Sequence, residues 1–444
     1  MLIQFSVSNW RSFKEESTIS FLASRERQHK ARVPFLEEYG INVLPTCALY
    51  GANASGKTNL FKALQFAKFL IVEGTKPDQI IPRSPFKLDK SYRKKPSRFK
   101  FLLYTGGKAF EYIFAVNDKI VVEEKLSLML KTTTREIFVR NGQEIEFFHE
   151  YERQPKLEYI KEGTRSNQLF VTNAVSQQVE EFRPVFLWFR DVLTLIKPES
   201  KYVNFEQYFE EENPLCESMN SLLSLLDTGI KKLGKRELPI DELPLPSEIL
   251  EQITKDLGEN RHTRIEINKD RFLVKRVKNA YRAYKLIAYH EDIEGKSIQF
   301  DLLDESDGTK RLIDLLPAFH RQSNVALMRV FFIDEIDRSM HTKLTSELLR
   351  AYLGAGSRGS RSQIIFTTHD VMIMNQDLLR RDEMWIADRS IQGESTIYSI
   401  SDFENVRFDK DVRKSYLQGR FGGLPKILLD EFASLPNDDQ HWLG

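Results

Sequence analysis

Residues 51–58 are Gly51-Ala-Asn-Ala-Ser-Gly56-Lys57-Thr58, which fits the pattern G-x-x-x-x-G-K-[ST] of a phosphate-binding loop. The run Val43-Leu-Pro-Thr-Cys-Ala-Leu-Tyr50 directly before it is typical of a buried strand. A strand, a glycine-rich loop and a helix in this order predict an α/β fold with a P-loop. The apolar residues that recur at helical spacing after the loop predict the buried stripe of that helix, which is Leu60, Leu64, Ala67 and Ile71.

The loop residues have distinct chemical tasks. Glycines allow backbone N–H groups to turn towards phosphate oxygens, and the start of the following helix adds a positive dipole. Lys57 brings a positive charge to the β- and γ-phosphates and takes part in catalysis, while the Thr58 hydroxyl ligates Mg²⁺. The predicted nucleotide-binding residues of the loop are Gly51, Asn53, Ala54, Ser55, Gly56, Lys57, Thr58 and Asn59.

A second apolar run delivers two acids. Val330-Phe-Phe-Ile-Asp334-Glu335 is typical of a buried parallel strand with carboxyl groups at its carboxyl edge. Asp334 is the candidate Mg²⁺ ligand, acting through water, and Glu335 is the candidate general base for the attacking water. The alternative is an apolar strand capped by solvated acids, which the preceding P-loop makes the weaker interpretation.

A polar turn lies between these two motifs. Asp304-Glu-Ser-Asp-Gly-Thr-Lys-Arg311 precedes apolar residues at helical spacing. Ser306 can cap this helix, and Gly308 leaves room for a close backbone approach. A capped helix N-terminus attracts anions. Because the P-loop already supplies one phosphate site, we expect this turn to serve the γ-phosphate bound by another copy of the chain.

A further apolar run, Gln363-Ile-Ile-Phe-Thr-Thr-His369, ends in a histidine. His369 can hydrogen-bond the γ-phosphate or the attacking water. A lone histidine at a strand edge is more often structural, but the order of the motifs favours the functional interpretation here.

The order of these motifs resembles that of ABC-type ATPase heads, the group that includes RecF, SMC and OLD proteins. Four longer phrases resemble the RloA-like ATPases, often classed as AAA-type, whose relatives include the PtuA- and AriA-like ATPases of bacterial phage defence. The resemblance covers about residues 1–130 and 285–425. The phrases are Asn9-Trp-Arg-Ser-Phe13, Gly51-Ala-Asn-Ala-Ser-Gly-Lys-Thr-Asn59, Glu305-Ser-Asp-Gly-Thr309 and Leu417-Gln-Gly-Arg420-Phe-Gly.

This resemblance implies ATP and Mg²⁺ as cofactors. The chain departs from the transporter-like signature Leu-Ser-Gly-Gly-Gln, since it has Ser-Asp-Gly-Thr instead, and Pro85-Phe-Lys-Leu88 is the candidate for the family's glutamine loop. The implied roles are Walker A for Gly51 through Thr58, Walker B for Asp334 and catalytic Glu335, a signature acting in trans for Ser306 and Gly308, a dimer-contact loop for Asp337, and a switch histidine for His369.

The patterns divide the chain into three segments. Residues 1–130 are expected to form the N-terminal half of the ATPase head, with the P-loop and an antiparallel β-lobe, and residues 286–444 the C-terminal half. Residues 131–285 are predicted to be an insertion of strands and then helices that selects a partner. The predicted fold is therefore an α/β, P-loop ABC-type head, a mixed sheet flanked by helices, with a β-lobe and a mainly helical insertion.

Composition limits the partners. With 65 Lys and Arg against 64 Asp and Glu, the formal net charge is +1, so any nucleic-acid binding would depend on local patches. Residues 76–100 and 269–285 are such basic patches, although a solvated surface is the simpler interpretation. Only two cysteines are present, which excludes a disulfide scaffold. No signal peptide or membrane span is recognisable, which predicts a cytoplasmic protein with no membrane partner.

Three functions fit these observations. The first is an ATPase whose ATP-driven dimerisation, or higher oligomerisation, gates a separate effector, a nuclease or toxin, in anti-phage defence. The second is a RecF-like DNA-binding ATPase of repair or recombination. A P-loop kinase is the weakest alternative, because it leaves the Ser306 turn and His369 unexplained.

Overall fold

A six-stranded sheet carries the P-loop in the computed structural model, which describes residues 1–200, 214–257, 262–267, 270–278, 280–319, 328–403 and 411–425. Its strands, numbered along the chain, are Thr46–Tyr50 (β5), Leu193–Ile196 (β11), Val330–Ile333 (β17), Gln363–Thr367 (β18), Met384–Arg389 (β19) and Ser395–Ser399 (β20). In the order β11-β17-β18-β5-β19-β20, every neighbouring pair is parallel except β19 and β20. The carboxyl ends of the P-loop strand, the acidic strand and the histidine strand therefore meet at one edge.

A seven-stranded antiparallel sheet forms the predicted β-lobe. Its order is β10-β9-β8-β7-β6-β1-β2, and the turn between β6 and β7 has positive φ at Gly106 and Gly107, as the Gly-Gly pair predicts. The strands are Leu2–Ser8 (β1), Ser17–Ser20 (β2), Ser97–Thr105 (β6), Lys108–Val116 (β7), Val121–Met129 (β8), Thr134–Asn141 (β9) and Glu144–Phe147 (β10). Phe35–Leu36 (β3) and Ile41–Asn42 (β4) form a separate short ribbon.

A third sheet, also antiparallel, corrects the sequence prediction for residues 131–285. The expected mainly helical insertion is wrong in its second half, where strands outnumber helices. Four of the residues of β12 are charged, so the alternation of apolar and polar residues that predicts a strand is weak there. The strand pairs with β15, where Tyr289 lies opposite Lys232. The strands are Lys232–Pro239 (β12), His262–Ile267 (β13), Asp270–Val277 (β14), Ala280–Glu291 (β15) and Ser297–Asp301 (β16).

The first half of the same segment joins the other two sheets. β9 and β10 extend the β-lobe, and β11 pairs with β17 in the central sheet. The segment boundaries at residues 130 and 285 stay predictions.

Helices cover both faces of the central sheet. Alternate residues of β5 face opposite sides: Cys47 and Leu49 pack in the core that contains α1 and the β-lobe, whereas Ala48 and Tyr50 pack in the core that contains α7 and α8. The helices are Lys57–Val72 (α1), Pro155–Glu162 (α2), Phe170–Ser176 (α3), Arg183–Leu187 (α4), Pro214–Leu225 (α5), Ser247–Asp256 (α6), Asp307–Phe319 (α7), Thr342–Gly354 (α8) and Val412–Leu417 (α9), with a π-turn at Trp188–Val192.

The predicted apolar stripe of α1 is buried throughout, because Leu60, Leu64, Ala67 and Ile71 are at most 1% exposed. The prediction of a mixed α/β fold, with a P-loop sheet flanked by helices and an antiparallel lobe, is confirmed.

Candidate functional site

The P-loop conformation depends on two glycines. Gly51 has φ = 146° and Gly56 has φ = 115°, in the region that L side chains disfavour. A Cβ atom on Gly51 would lie 2.3 Å from the carbonyl oxygen of Ala387, and one on Gly56 would lie 2.4 Å from Oγ of Ser395. Both backbone strain and lack of space therefore require glycine at these positions.

Lys57 is 5% exposed and folds back over the loop. Its Nζ donates hydrogen bonds to the carbonyl oxygens of Gly51 (2.7 Å) and Ala52 (3.0 Å), and it lies 3.5 Å from Nδ1 of His369. Burial lowers the pKa of Lys57 to about 8, against the opposing effect of nearby carboxylates. A phosphate group is the kind of ligand that would stabilise this buried charge.

Asp334 lies beside Thr58, the other residue predicted to hold Mg²⁺. Its Oδ1 accepts a hydrogen bond from Oγ1 of Thr367 at 2.6 Å and lies 3.4 Å from Oγ1 of Thr58. A hydroxyl and a carboxylate oxygen are ligands that Mg²⁺ prefers, and phosphate and water oxygens commonly complete its shell. The two residues predicted to hold Mg²⁺ therefore fit that ion.

Glu335 occupies a strained backbone position beside them. Its φ is 51°, which is uncommon for a residue with a side chain. The backbone N–H of Glu335 donates to Oγ1 of Thr367 at 2.8 Å, so the same hydroxyl orients Asp334 and holds the turn of Glu335.

His369 connects the P-loop to the segment after the acidic strand. Its backbone N–H lies 3.4 Å from Oδ2 of Asp337, within residues 336–341, which we call the dimer-contact loop. Partial burial and the neighbouring Lys57 lower the pKa of His369, which favours the neutral imidazole, whose Nδ1 can accept a hydrogen bond from Lys57.

Lys57, Glu335 and His369 share an open cavity of about 410 Å³, the phosphate cavity, whereas Asp334 and Asp337 are not among its lining residues. It brings together the P-loop, the predicted general base and the predicted switch histidine. Its lining residues are Ser12, Asn53, Ala54, Ser55, Gly56, Lys57, Thr58, Asn59, Glu335, His369 and Arg389.

Ser306 and Gly308 are not among those lining residues. They lie in residues 305–309, the signature turn, where Oγ of Ser306 accepts a hydrogen bond from the backbone N–H of Thr309 at 3.1 Å. A Cβ atom on Gly308 would lie 2.6 Å from the carbonyl oxygen of Ser339, so the glycine permits close contact with the dimer-contact loop. Ser306 itself is exposed at the start of α7.

Residues 47–375, well over half of the chain, match the family described as "AAA domain, putative AbiEii toxin, Type IV TA system". The chain belongs to this AAA family. No curated protein matches the sequence.

Two solved structures are similar to this AAA chain. They are the "SMC head domain from Thermotoga maritima" and the "SmcHead bound to the C-winged helix domain of ScpA". Each is 13% identical with a TM-score of 0.37, and the alignments cover 90% of this chain and 98% and 97% of those chains. Likeness at this level does not identify an activity. The more specific resemblance to RloA-, PtuA- and AriA-like proteins stays a prediction.

Two residues of the phosphate cavity were not predicted from the AAA sequence. Ser12 belongs to the phrase Asn9–Phe13, and its Oγ accepts a hydrogen bond from Nδ2 of Asn59 at 2.8 Å. Arg389 is the last residue of β19 and belongs to no sequence motif. It also lines a second cavity of about 290 Å³, together with Ser12 and the predicted glutamine-loop region 85–88. The two cavities are adjacent, since Ser12, Asn59 and Arg389 line both.

The two basic patches are partly neutralised within the AAA chain. Lys269 lies outside the described residues, and six of the described cations pair with acids, which lowers the charge available to nucleic-acid phosphates. The main pairs are Arg83–Asp118 (2.7 Å), Arg98–Glu123 (3.2 Å) and Lys100–Glu111 (2.8 Å) in the first patch, and Arg271–Asp314 (2.7 Å), Lys285–Asp270 (2.8 Å) and Arg282–Glu237 (3.3 Å) in the second.

Among the described residues, no helix combines the length and hydrophobicity needed to cross a bilayer.

Proposed function

We propose that this AAA chain is a Mg²⁺-dependent ATPase whose ATP-bound form closes into a dimer. One observation carries the proposal: Lys57, Glu335 and His369 line a single cavity at the end of the P-loop, whereas Ser306 does not line it. A binding pocket for the triphosphate is therefore formed within one chain, and the exposed signature turn is left to act on a second one.

Within one chain, each residue has a separate task. Lys57 leaves its carbonyl partners and pairs with phosphate oxygens. Thr58 and Asp334 would hold Mg²⁺, which would neutralise phosphate charge when bound. Glu335 accepts the proton of the attacking water, and His369 donates or accepts a hydrogen bond at the γ-phosphate or at that water.

The signature turn supports dimerisation. Ser306 caps α7, so backbone N–H groups at the start of this 13-residue helix face outward with a partial positive charge. In a two-fold dimer, the same surface meets the phosphate cavity of the other copy in both directions. The γ-phosphate then connects the two chains, and its hydrolysis releases them.

This cycle would control a separate effector, a nuclease or toxin, in anti-phage defence in the cytoplasm. The family description names a toxin and a type IV TA system, which favours a defence role over a repair role. The internal pairing of the basic patches gives no added support to the RecF-like alternative. Co-purification of the product of a neighbouring gene, together with loss of phage protection in Lys57→Ala cells, would support the defence role; protection that survives Lys57→Ala would contradict it.

The ATPase proposal is tested with purified protein. Lys57→Ala removes the phosphate-binding charge and should abolish ATP binding, while Glu335→Gln should keep ATP bound and lower turnover by about two to four orders of magnitude. Lys62→Ala on α1 and Glu347→Gln on α8 are matched controls that do not line the phosphate cavity. Unchanged turnover in Glu335→Gln would refute its assignment as general base.

A further inference from the structure

A histidine of the third sheet holds the signature turn. Nε2 of His290, near the end of β15, lies 2.6 Å from Oε1 of Glu305, the residue directly before Ser306. The side chain of Glu305 is only 9% exposed and that of His290 only 21%. This is a charge-assisted hydrogen bond with restricted access to water, a setting in which such bonds are strong.

The histidine ring is itself fixed by its surroundings. The ring of Phe300 on β16 packs edge-on against it with centroids 4.7 Å apart. On another side, a Cβ atom on Gly229 would lie 3.3 Å from Nδ1 of His290, so the glycine gives the ring its space. His290 is therefore a pre-positioned partner for Glu305 rather than a mobile surface side chain.

The signature turn is thus held on both sides of its serine. Glu305 is anchored to β15 through His290, and Gly308 packs against the carbonyl oxygen of Ser339 in the dimer-contact loop. Ser306 lies between these anchors and is exposed. Movement of β15 would move Glu305, and with it the cap of α7.

We propose that His290 is a positioning residue for the signature serine: by holding Glu305 it sets the orientation in which Ser306 meets the nucleotide of the second chain. The inference rests on the proposed function, because it assumes that Ser306 acts across a dimer. It also gives the third sheet a mechanical connection to that dimer contact.

The test uses the full chain carrying Glu335→Gln, in which bound ATP keeps the dimer closed. The dimer dissociation constant is measured by analytical ultracentrifugation with ATP, and ATP affinity is measured separately with a fluorescent analogue at protein concentrations below dimerisation. Loss of one charge-assisted hydrogen bond should weaken the dimer of His290→Ala by about tenfold or more. ATP affinity should stay within about twofold, because the phosphate cavity of the same chain does not include His290.

Two further variants separate positioning from general stability. His290→Gln keeps a donor that can reach Glu305 and should recover most of the dimer affinity. Glu291→Gln, at the next position of β15, removes a surface ion pair with Lys231 (3.0 Å) and should leave the dimer unchanged.

Three results would overturn the inference. Dimer affinity that is unchanged in His290→Ala while Ser306→Arg weakens it would leave the proposed dimer intact and refute only the role of His290. Parallel loss of ATP affinity and dimer affinity in His290→Ala, without recovery in His290→Gln, would show a general structural defect. Dimer affinity unchanged in Ser306→Arg would refute the proposed function itself, and the inference with it.

Discussion

Nζ of Lys57 lies 3.5 Å from Nδ1 of His369, so the P-loop cation and the histidine after β18 meet in one cavity. The positive charge of each group is disfavoured at this place, for different reasons. The pKa of Lys57 falls to about 8 through burial, and that of His369 falls through partial burial and the neighbouring Lys57. The negative charge of a bound triphosphate would raise the pKa of both groups.

Nucleotide binding should therefore be coupled to proton uptake. In the free protein, Lys57 is about half protonated at pH 8, and bound phosphate would raise its pKa so that it takes up roughly 0.5 proton. Titration calorimetry at pH 8 in buffers of different ionisation enthalpy measures this uptake, and affinity should decline as the pH rises above about 8. In Lys57→Arg the uptake should be lost, because arginine stays charged. Equal apparent enthalpies in all buffers for the unaltered protein would contradict this prediction.

A buried carboxyl far from the nucleotide should make the fold sensitive to pH. Burial raises the pKa of Glu383 from 4.5 to about 7, although Arg32 opposes the shift, and Oε1 of Glu383 has no hydrogen-bond partner. The pKa of Glu383 is higher in the folded protein than in the unfolded chain, so the protonated carboxyl stabilises the folded state. This stabilisation is complete below pH 4.5 and is lost as the pH rises through about 7. In the unaltered protein, the unfolding free energy should decline by about 1–3 kcal/mol between pH 5 and 8, and Glu383→Gln should remove this decline. Urea unfolding across that range measures it, and an unchanged slope in Glu383→Gln would contradict the assignment.

Arg389 should contribute binding rather than catalysis. It lines both the phosphate cavity and the neighbouring cavity, at a position where it would meet the nucleotide before and during the reaction. Arg389→Ala should therefore raise KM by about tenfold and leave kcat within about twofold. Steady-state kinetics give both values, and Arg350→Ala on the surface of α8 is the control. A fall in kcat at constant KM would instead give Arg389 a role in the transition state.

Gly308 should be intolerant of even one methyl group. A Cβ at this position would lie 2.6 Å from the carbonyl oxygen of Ser339, whereas one on Gly354, at the end of α8, would meet nothing within 4 Å. Gly308→Ala should lower ATP turnover about tenfold or more, because the added methyl group pushes the signature turn away from the dimer-contact loop. Gly354→Ala should leave ATP turnover almost unchanged. Turnover assays at equal ATP occupancy compare the two variants. Equal activity would show that this contact does not matter.

Local patterns predicted the three strands of the central sheet that carry the candidate site. β5, β17 and β18 are fully buried parallel strands, which appear in sequence as short continuous apolar runs, and each is followed by polar residues of that candidate site. The P-loop, Asp334, Glu335 and His369 could therefore be found without structural information, because their spacing and their strands are both local features.

The rest depends on contacts between distant residues. The third sheet escaped prediction because β12 is rich in charge and its partner β15 lies far along the chain. For the same reason, three further features could not be predicted, since none of them leaves a pattern within one segment. They are the place of Arg389 in the cavity, the contact of Gly308 with Ser339, and the pair of His290 with Glu305.

The central claim is that a second chain completes the phosphate cavity, and mixing two inactive variants tests it most directly. Ser306→Arg keeps the P-loop but blocks the signature turn, and Lys57→Ala does the reverse, so a mixed dimer contains one intact composite site. We predict that each variant alone is inactive and that an equimolar mixture recovers up to about a quarter of the normal ATPase rate, since half of the dimers are mixed and each has one working site. A mixture that forms mixed dimers and yet is no more active than its separate components would contradict the account.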